Sequence, residues 1–437
     1  MQKYCKECGT KLEPENRFCD GCGRNLSGDM GAGSNGRKRT IFFPVVVLLL
    51  CCAAAFAGYK RDNSTTSQSV KVVNTPSTIT GQQIATDRNP PVLPSLNSYN
   101  SANAALFLVK VNGKYGYINK SGKIVIPPQF DGVLSDFREG LAGVVVNNKY
   151  GYINKSGKFV IPLQFDGAEN FHDGLAVVKV NNKLGYINKS GKLVIQSQFR
   201  YARNFNKGLA VVEVNNKLGY INKSGNFVIP PQYDDAHNFN EGLAVVEVNN
   251  KFGYINKSGK LVIQSQFRYA RNFNKGLAVV VVNNKWGYIN KSGKLVIPPQ
   301  YDNAGYFREG LAPVEVNGKW GYINRSGKLV IQSQFRYARN FNKGLAVVVV
   351  NNKLGYINKS GNFVIPPQYD GAHNFNKGLA VVEVNNKWGY INKSGNFVIP
   401  PQFQYAYNFN KGLAVVEVNN KWGYINKSGK WVWKPTK

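Results

Sequence analysis

Four of the six cysteines fall in one short segment, Cys5, Cys8, Cys19 and Cys22, spaced C-x2-C-x10-C-x2-C. Each pair runs into a glycine, Gly9 or Gly23, which relieves the strain of a tight turn. Four thiolates at this spacing suit a closed tetrahedral Zn2+ site, a structural one because no position is left open for water. A segment this short builds no core alone, so the metal would supply most of its folding free energy. Two disulfides are the rival reading, and the paired knuckles favour the metal. Other chemistry-bearing residues are sparse. His172, His237 and His373 have no acidic or cysteine partner at metal spacing and read as surface residues. No cysteine follows Cys52, so Cys–His nucleophilic chemistry is excluded from most of the chain, and three histidines make a His-based triad a poor reading. The carboxylates recur with a repeat instead of forming the one unique pair that glycoside hydrolysis requires. The expectation is a protein that is not an enzyme, with an envelope hydrolase the weakest reading.

The charge points to binding. The chain has 437 residues, and 56 Lys and Arg face 24 Asp and Glu, for a net charge of +32. That balance implies an anionic partner or surface.

The elements that must position these residues come from a repeat. GYINKSG starts at Gly116, Gly151, Gly185, Gly219, Gly253, Gly287, Gly321, Gly355, Gly389 and Gly423, with Arg325 its one variation. The first interval is 35 residues and the others 34, so there are ten units. Leu209 to Val214 reads as a first strand, and Asn215-Asn216 as a two-residue hairpin turn in which both residues tolerate positive φ. Leu218 to Ile221 reads as a second strand, closed by Asn222-Lys223-Ser224-Gly225 with glycine at a left-handed position. A third, Phe227 to Ile229, is expected to stop at Pro230-Pro231, which donate nothing to a ladder. The fold class is therefore all-β: a tandem array of ten three-stranded antiparallel units of about 34 residues over 103–437. Ten units exceed the usual four to eight propeller blades, and no blade is visibly shared between the ends. These points favour an open, curved β-solenoid, with a β-propeller as the alternative.

A second period of 68 residues lies over the first. Arg200, Arg268 and Arg336 alternate with Asp166, Asp234, Asp302 and Asp370 at one position of the unit. If adjacent units stack, these charges meet as a ladder of ion pairs, each worth roughly 0–1 kcal/mol when exposed. Duplication of a 68-residue block would also produce the alternation. The functional reading makes Arg200, Tyr201 and Arg203, with Arg268, Tyr269, Arg271, Arg336, Tyr337 and Arg339, evenly spaced anion-binding patches. Lysines at the two kinds of loop, Asn-Asn-Lys and Asn-Lys-Ser-Gly-Lys, would add a basic stripe along the array.

Ahead of the array the chain divides into residues 1–26 with the cysteines, a basic Gly/Ser-rich linker 27–40, an apolar segment 41–58 and a stalk 59–102. Ile41 to Gly58 carries no charge, and as a helix it spans roughly 27 Å, so it reads as a single transmembrane helix. A cleaved signal peptide ending at Ala55-Phe56-Ala57 is the rival. The surplus of Lys and Arg before the segment places the N-terminus in the cytoplasm and the array outside. A reducing cytosol also suits zinc thiolates. The stalk, rich in Ser, Thr, Asn, Gln and Pro, buries too little to fold and reads as disordered.

Two resemblances sharpen this. The cysteine segment resembles the zinc-ribbon family. The run Trp286-Gly287-Tyr288-Ile289-Asn290, with Ser292-Gly293 and Ile297-Pro298-Pro299-Gln300-Tyr301-Asp302, resembles the bacterial WG (KWG) repeat family over about 104–437. That resemblance implies an all-β repeat domain with an interaction role and transfers no catalytic or ligand residue. The tryptophan is present in four units, Trp286, Trp320, Trp388 and Trp422, and elsewhere is Tyr115, Tyr150, Leu184, Leu218, Phe252 or Leu354. Such interchange fits a packed apolar site better than a stacking platform. By contrast, Lys179, Glu213, Val281 and Val349 at one first-strand position suggest a solvent-facing site.

The expected function is a membrane-anchored, non-enzymatic surface protein whose basic array binds an anionic envelope polymer or a protein partner. The alternative is a transmembrane sensor or scaffold that signals through the zinc ribbon. A nucleic acid fits the charge, but no motif supports one.

Overall fold

The computed structural model describes residues 105–434, together with the backbone of two short strands, Lys3–Tyr4 and Lys11–Leu12. These two pair antiparallel, Lys3 opposite Leu12. The four cysteines, the linker 27–40, the apolar segment 41–58 and the stalk 59–102 lie outside the described residues.

Each repeat is an antiparallel sheet. In the fifth, Leu243–Val248, Lys251–Asn256 and Leu261–Phe267 follow one another, and the two-residue strand Asp235–Ala236 pairs with the first. The connector expected to be a plain loop thus supplies a fourth strand in eight of the ten sheets; blades 1 and 4 have three. We number the sheets as blades, from blade 1 at Phe107–Phe130 to blade 10 at Tyr405–Trp433. The turns match their chemistry. Asn215 and Asn216 have φ of 51° and 59°, as the hairpin requires, and Gly225 has 85°. The Asn222 side chain accepts from the backbone N–H groups of Ser224 and Asn226, at 3.0 Å each, and so caps its own loop.

The third strand departs from expectation. It runs through the prolines, as Phe227–Tyr233, because the register shifts there: Tyr220 faces Ile229, while Leu218 faces Tyr233. This bulge spares the prolines any ladder donation. It also presses the strand onto Gly219, where a Cβ would stand 2.6 Å from the Ile229 carbonyl oxygen and 2.7 Å from the Pro231 nitrogen. The glycine of the Trp-Gly pair is therefore a steric necessity.

The hydrophobic core lies between blades. Ten clusters of buried residues occupy the described region, each drawn from two neighbouring blades. In one, Leu243, Val245, Tyr254, Ile263 and Phe267 of blade 5 meet Ala270, Phe273, Ala278, Val280 and Ile289 of blade 6. Burying each large aliphatic or aromatic side chain is worth about 1.5–3 kcal/mol, so this packing is the main cohesive force. The tyrosine of GYINKSG adds direction. Tyr254 Oη donates to the Arg271 carbonyl at 2.8 Å, and its ring lies 4.9 Å from that of Phe273. Burial pushes these hydroxyls well above the usual tyrosine range.

An open row of ten blades has nine interfaces. The tenth cluster is between the ends: Phe107, Val109 and Ile118 of blade 1 pack against Leu413, Tyr424, Val432 and Trp433 of blade 10. Tyr424 Oη donates to the Leu108 carbonyl at 2.7 Å. That carbonyl is available because blade 1 has no short strand; at the equivalent place in blade 3, the Val177 carbonyl accepts from the Glu169 N–H. The array is a closed ten-bladed propeller, which corrects the expected open solenoid. No shared blade is needed, because the bond that joins every neighbouring pair also joins the ends.

Candidate functional site

Antiparallel strand order sorts the loops onto two faces of the ring. The hairpin face holds the Asn-Asn or Asn-Gly tips, the lysines beside them and the residue that follows each third strand. The turn face holds the Asn-Lys-Ser-Gly loops and the two-residue turns that precede the first strands, such as Lys275-Gly276. The expected single basic stripe is therefore split in two.

On the hairpin face the residue that follows each third strand is engaged. Asp234 pairs with Lys217 of blade 4 and accepts from the Asn249 N–H at the tip of blade 5, at 2.9 Å. The Lys217 hydrogen bond and then that N–H hold its carboxyl below the usual range. Asp131, Asp166, Asp302 and Asp370 pair likewise with Lys114, Lys149, Lys285 and Lys353. The arginines at this position use the other half of the tip. Arg200 donates to the Asn216 side-chain oxygen at 3.3 Å, and Arg268 and Arg336 do the same to Asn284 and Asn352. Gln404 does both jobs, accepting from the Asn420 N–H and donating to its side chain. The alternation of sign is thus two ways of fastening a hairpin tip. It replaces the expected Arg–Asp ladder, because each charge reaches sideways to the next tip.

The other arginines of the expected patches are tied inward. Arg203 is half-buried against Tyr201 and lies 3.9 Å from Asp235 of blade 5. Arg271 stacks on Trp286 and Tyr306 and donates to the Ala304 carbonyl. Arg339 donates to the Ala372 carbonyl at 3.1 Å. The nine residues therefore do not form three equal open patches. Arg200, Arg268, Arg336, Tyr201 and Tyr269 reach solvent, Tyr337 is half-buried, and Arg203, Arg271 and Arg339 are bridges to the next blade.

Two of the three histidines also differ from the surface reading. His237 lies 2.9 Å from the buried Asp235 carboxylate. His373 packs against the Trp388 ring, where burial and then Arg339 push it down to about 4. The name-giving tryptophan position is packed, as expected: Trp320, Trp388, Leu218 and Leu354 are buried, and the other six are half-buried. The position of Lys179, Glu213 and Val349 is half-buried, and Val281 is buried, because the third strand of the preceding blade and the short strand crowd it.

The turn face carries most of the surplus charge. Its loops and turns hold 24 Lys and Arg against four acids, Glu139, Asp173, Glu241 and Glu309. The hairpin face, with the second-last residue of each first strand counted in, holds 15 Lys and Arg against ten acids. Sequence reasoning missed this division, because consecutive loops look alike until strand order assigns them to opposite faces.

A family model for WG-containing repeats matches ten consecutive stretches from residue 115 to residue 436. The chain belongs to the WG-containing repeat family. No curated protein matches it. Among solved structures it is similar to a eukaryotic initiation factor, at 12% identity and a TM-score of 0.43, over 75% of this chain and 95% of that one. It is also similar to Kluyveromyces lactis Hsv2p, at 10% identity and a TM-score of 0.30, over 50% and 89% of the two chains. A third is the dihydro-heme d1 dehydrogenase NirN, at 12% and 0.33, over 71% and 76%. In WG terms, the Gly packs under the bulge and the Trp position lines the seam between blades.

Proposed function

We propose that this protein is a non-enzymatic binding protein, anchored in the cell membrane by residues 41–58, which presents its WG ring outside the cell to an anionic envelope polymer or an acidic protein partner. The observation that carries the reading is the turn face, with 24 basic residues and four acidic ones on a single side of a rigid ring. A field of that sign draws polyanions, and many weak contacts on one scaffold act together. The half-buried Trp positions speak against a stacking platform for neutral sugars.

Cys5, Cys8, Cys19 and Cys22 make a donor set that fits a structural Zn2+ on the cytoplasmic side. The metal would hold that segment folded and leave no site for chemistry. If the protein is only an anchored binder, deletion of residues 1–26 leaves polymer binding and its cellular effect intact. If it is a sensor or scaffold, the deletion spares binding and abolishes the effect.

The test is binding of the full-length protein, in mild detergent, to an anionic wall polymer and to a neutral glycan across a salt series. Affinity for the anionic polymer is expected to fall steeply with salt, since exposed charges are screened over about 8–10 Å. Salt-insensitive binding to the neutral glycan would overturn the reading.

A further inference from the structure

The turn face already binds anions, namely its own carboxylates. In blade 6 the adjacent backbone N–H groups of Lys275 and Gly276, both at positive φ, point at one Glu241 carboxylate from blade 5. The Gly276 bond is 2.9 Å, and Lys291 Nζ closes the socket at 3.4 Å. Blade 8 repeats the arrangement, with Lys343 and Gly344 holding Glu309 and Lys359 closing it. Simpler versions hold Glu139 on the Gly174 N–H and Asp173 on the Gly208 N–H. A socket of this kind is a pair of oriented donors plus a cation, a built receptor for one carboxylate.

Blades 9 and 10 keep the socket and lose its occupant. The turns are Lys377-Gly378 and Lys411-Gly412, with the same positive φ of 50° and 93°, and 50° and 97°. The residue that would supply the carboxylate from the preceding blade is Lys343 in one case and Lys377 in the other. Among the described residues, no side chain accepts from these four N–H groups. The closing lysine is already in place at the second socket, where Lys427 Nζ donates to the Lys377 carbonyl as Lys291 Nζ does to that of Glu241. The exchange of Glu for Lys turns a self-filled site into one with two vacant donors and extra positive charge.

We propose that the sockets of blades 9 and 10 bind carboxylates of an acidic peptide segment of a partner protein, as their counterparts in blades 6 and 8 bind Glu241 and Glu309. This rests on the binding function proposed above and names its most specific site. A carboxylate is favoured over a phosphate because the same donor geometry is filled by a glutamate twice within this chain.

The test uses the full-length protein with labelled hexaglutamate, and with a short polyphosphate of equal charge as the second probe. Lys343→Glu with Lys377→Glu recreates the self-filled state, and a stable fold is expected because blades 5 and 7 carry Glu at the equivalent place. This variant is expected to weaken hexaglutamate binding roughly tenfold or more, beyond the effect of the same charge change at control positions Lys223→Glu with Lys257→Glu on the same face. Equal losses in the two double variants would overturn the sockets while leaving a diffuse electrostatic binder intact. Loss of polyphosphate binding alone in the socket variant would overturn the carboxylate assignment. Failure of the unsubstituted protein to bind either probe would overturn the sockets together with the reading on which they rest.

Discussion

The two faces of the ring are built from the same few residue types, yet they use lysine differently. On the hairpin face, Lys217, Asp234 and the Asn249 N–H form a clip that joins one blade tip to the next. There charge serves structure, with ten acids set among 15 basic residues. On the turn face, 24 basic residues share four acids, and each of those acids is held by the turn of the next blade. A net charge of +32 therefore says little until it is divided between surfaces. Equal lysine density along the chain becomes two different chemistries in space.

The comparison can be broken first at its scaffold. Gly253→Ala places a Cβ 2.7 Å from the Ile263 carbonyl oxygen and 2.8 Å from the Ser265 nitrogen. Neither backbone atom yields easily, so a loss of roughly 3 kcal/mol or more is expected in denaturant titration, with both faces disturbed together. Wild-type stability would show that the bulge relaxes and that the two faces are not locked by it.

The ring itself comes next. Tyr424→Phe removes the hydrogen bond that joins the ends, and Tyr254→Phe removes its counterpart inside the array. Each is expected to cost about 1–2 kcal/mol, because a buried carbonyl loses its partner. Similar losses support a closed ring, and a negligible effect of Tyr424→Phe with a full effect of Tyr254→Phe contradicts it.

A smaller effect separates the faces directly. Asp234→Asn, Asp302→Asn and Asp370→Asn together remove three clips that are largely exposed, so the expected destabilisation is only about 1 kcal/mol in total. Polyanion affinity should stay within about twofold or rise, since screening limits the reach of these charges. Acid should mimic the substitution. The Asp234 and Asp302 carboxyls are held below their usual range, so their contribution is present above the unfolded value near 4 and is lost as pH falls through the lower folded value.

The smallest effect is at His373. Its folded value of about 4 lies below the ordinary 6.5, so the unfolded chain takes up the proton first. Stability from this group is full above pH 6.5 and declines between there and about 4. His373→Gln should flatten that part of a stability–pH profile. An unchanged slope would mean that the imidazole is not buried as described.

Much of the fold was legible because the signals were local. Asn215-Asn216 demanded a hairpin, and Gly225 a left-handed loop end, from residue type alone. The interchange of Trp320, Leu354 and Phe252 marks a packed position from residue type alone. What escaped depended on neighbours. Pro230 and Pro231 looked like a stop because the bulge that accommodates them is a property of two strands. Ring closure escaped because it hangs on Leu108, a residue made available by the absence of a short strand. The Asp–Arg alternation was visible, but its partners, Asn249 and Asn284, sit on tips brought beside it only by stacking. The sockets of the turn face left a trace in the sequence, the series Glu139, Asp173, Lys207, Glu241, Lys275, Glu309, Lys343, Lys377, Lys411, whose meaning appears once Glu241 is seen on the next turn.

The central claim is that binding charge resides on the turn face. Two variants with the same change in net charge test it: Lys120, Lys223, Lys257, Lys393 and Lys427 replaced by Gln on that face, and Lys183, Lys251, Lys319, Lys387 and Lys421 replaced by Gln on the hairpin face. The measurement is affinity for an anionic polymer at several salt concentrations. The turn-face variant is expected to lose roughly tenfold or more and to show a shallower salt dependence, while the hairpin-face variant stays within about threefold of the unsubstituted protein. Equal losses in both variants, or a greater loss from the hairpin face, would contradict the account.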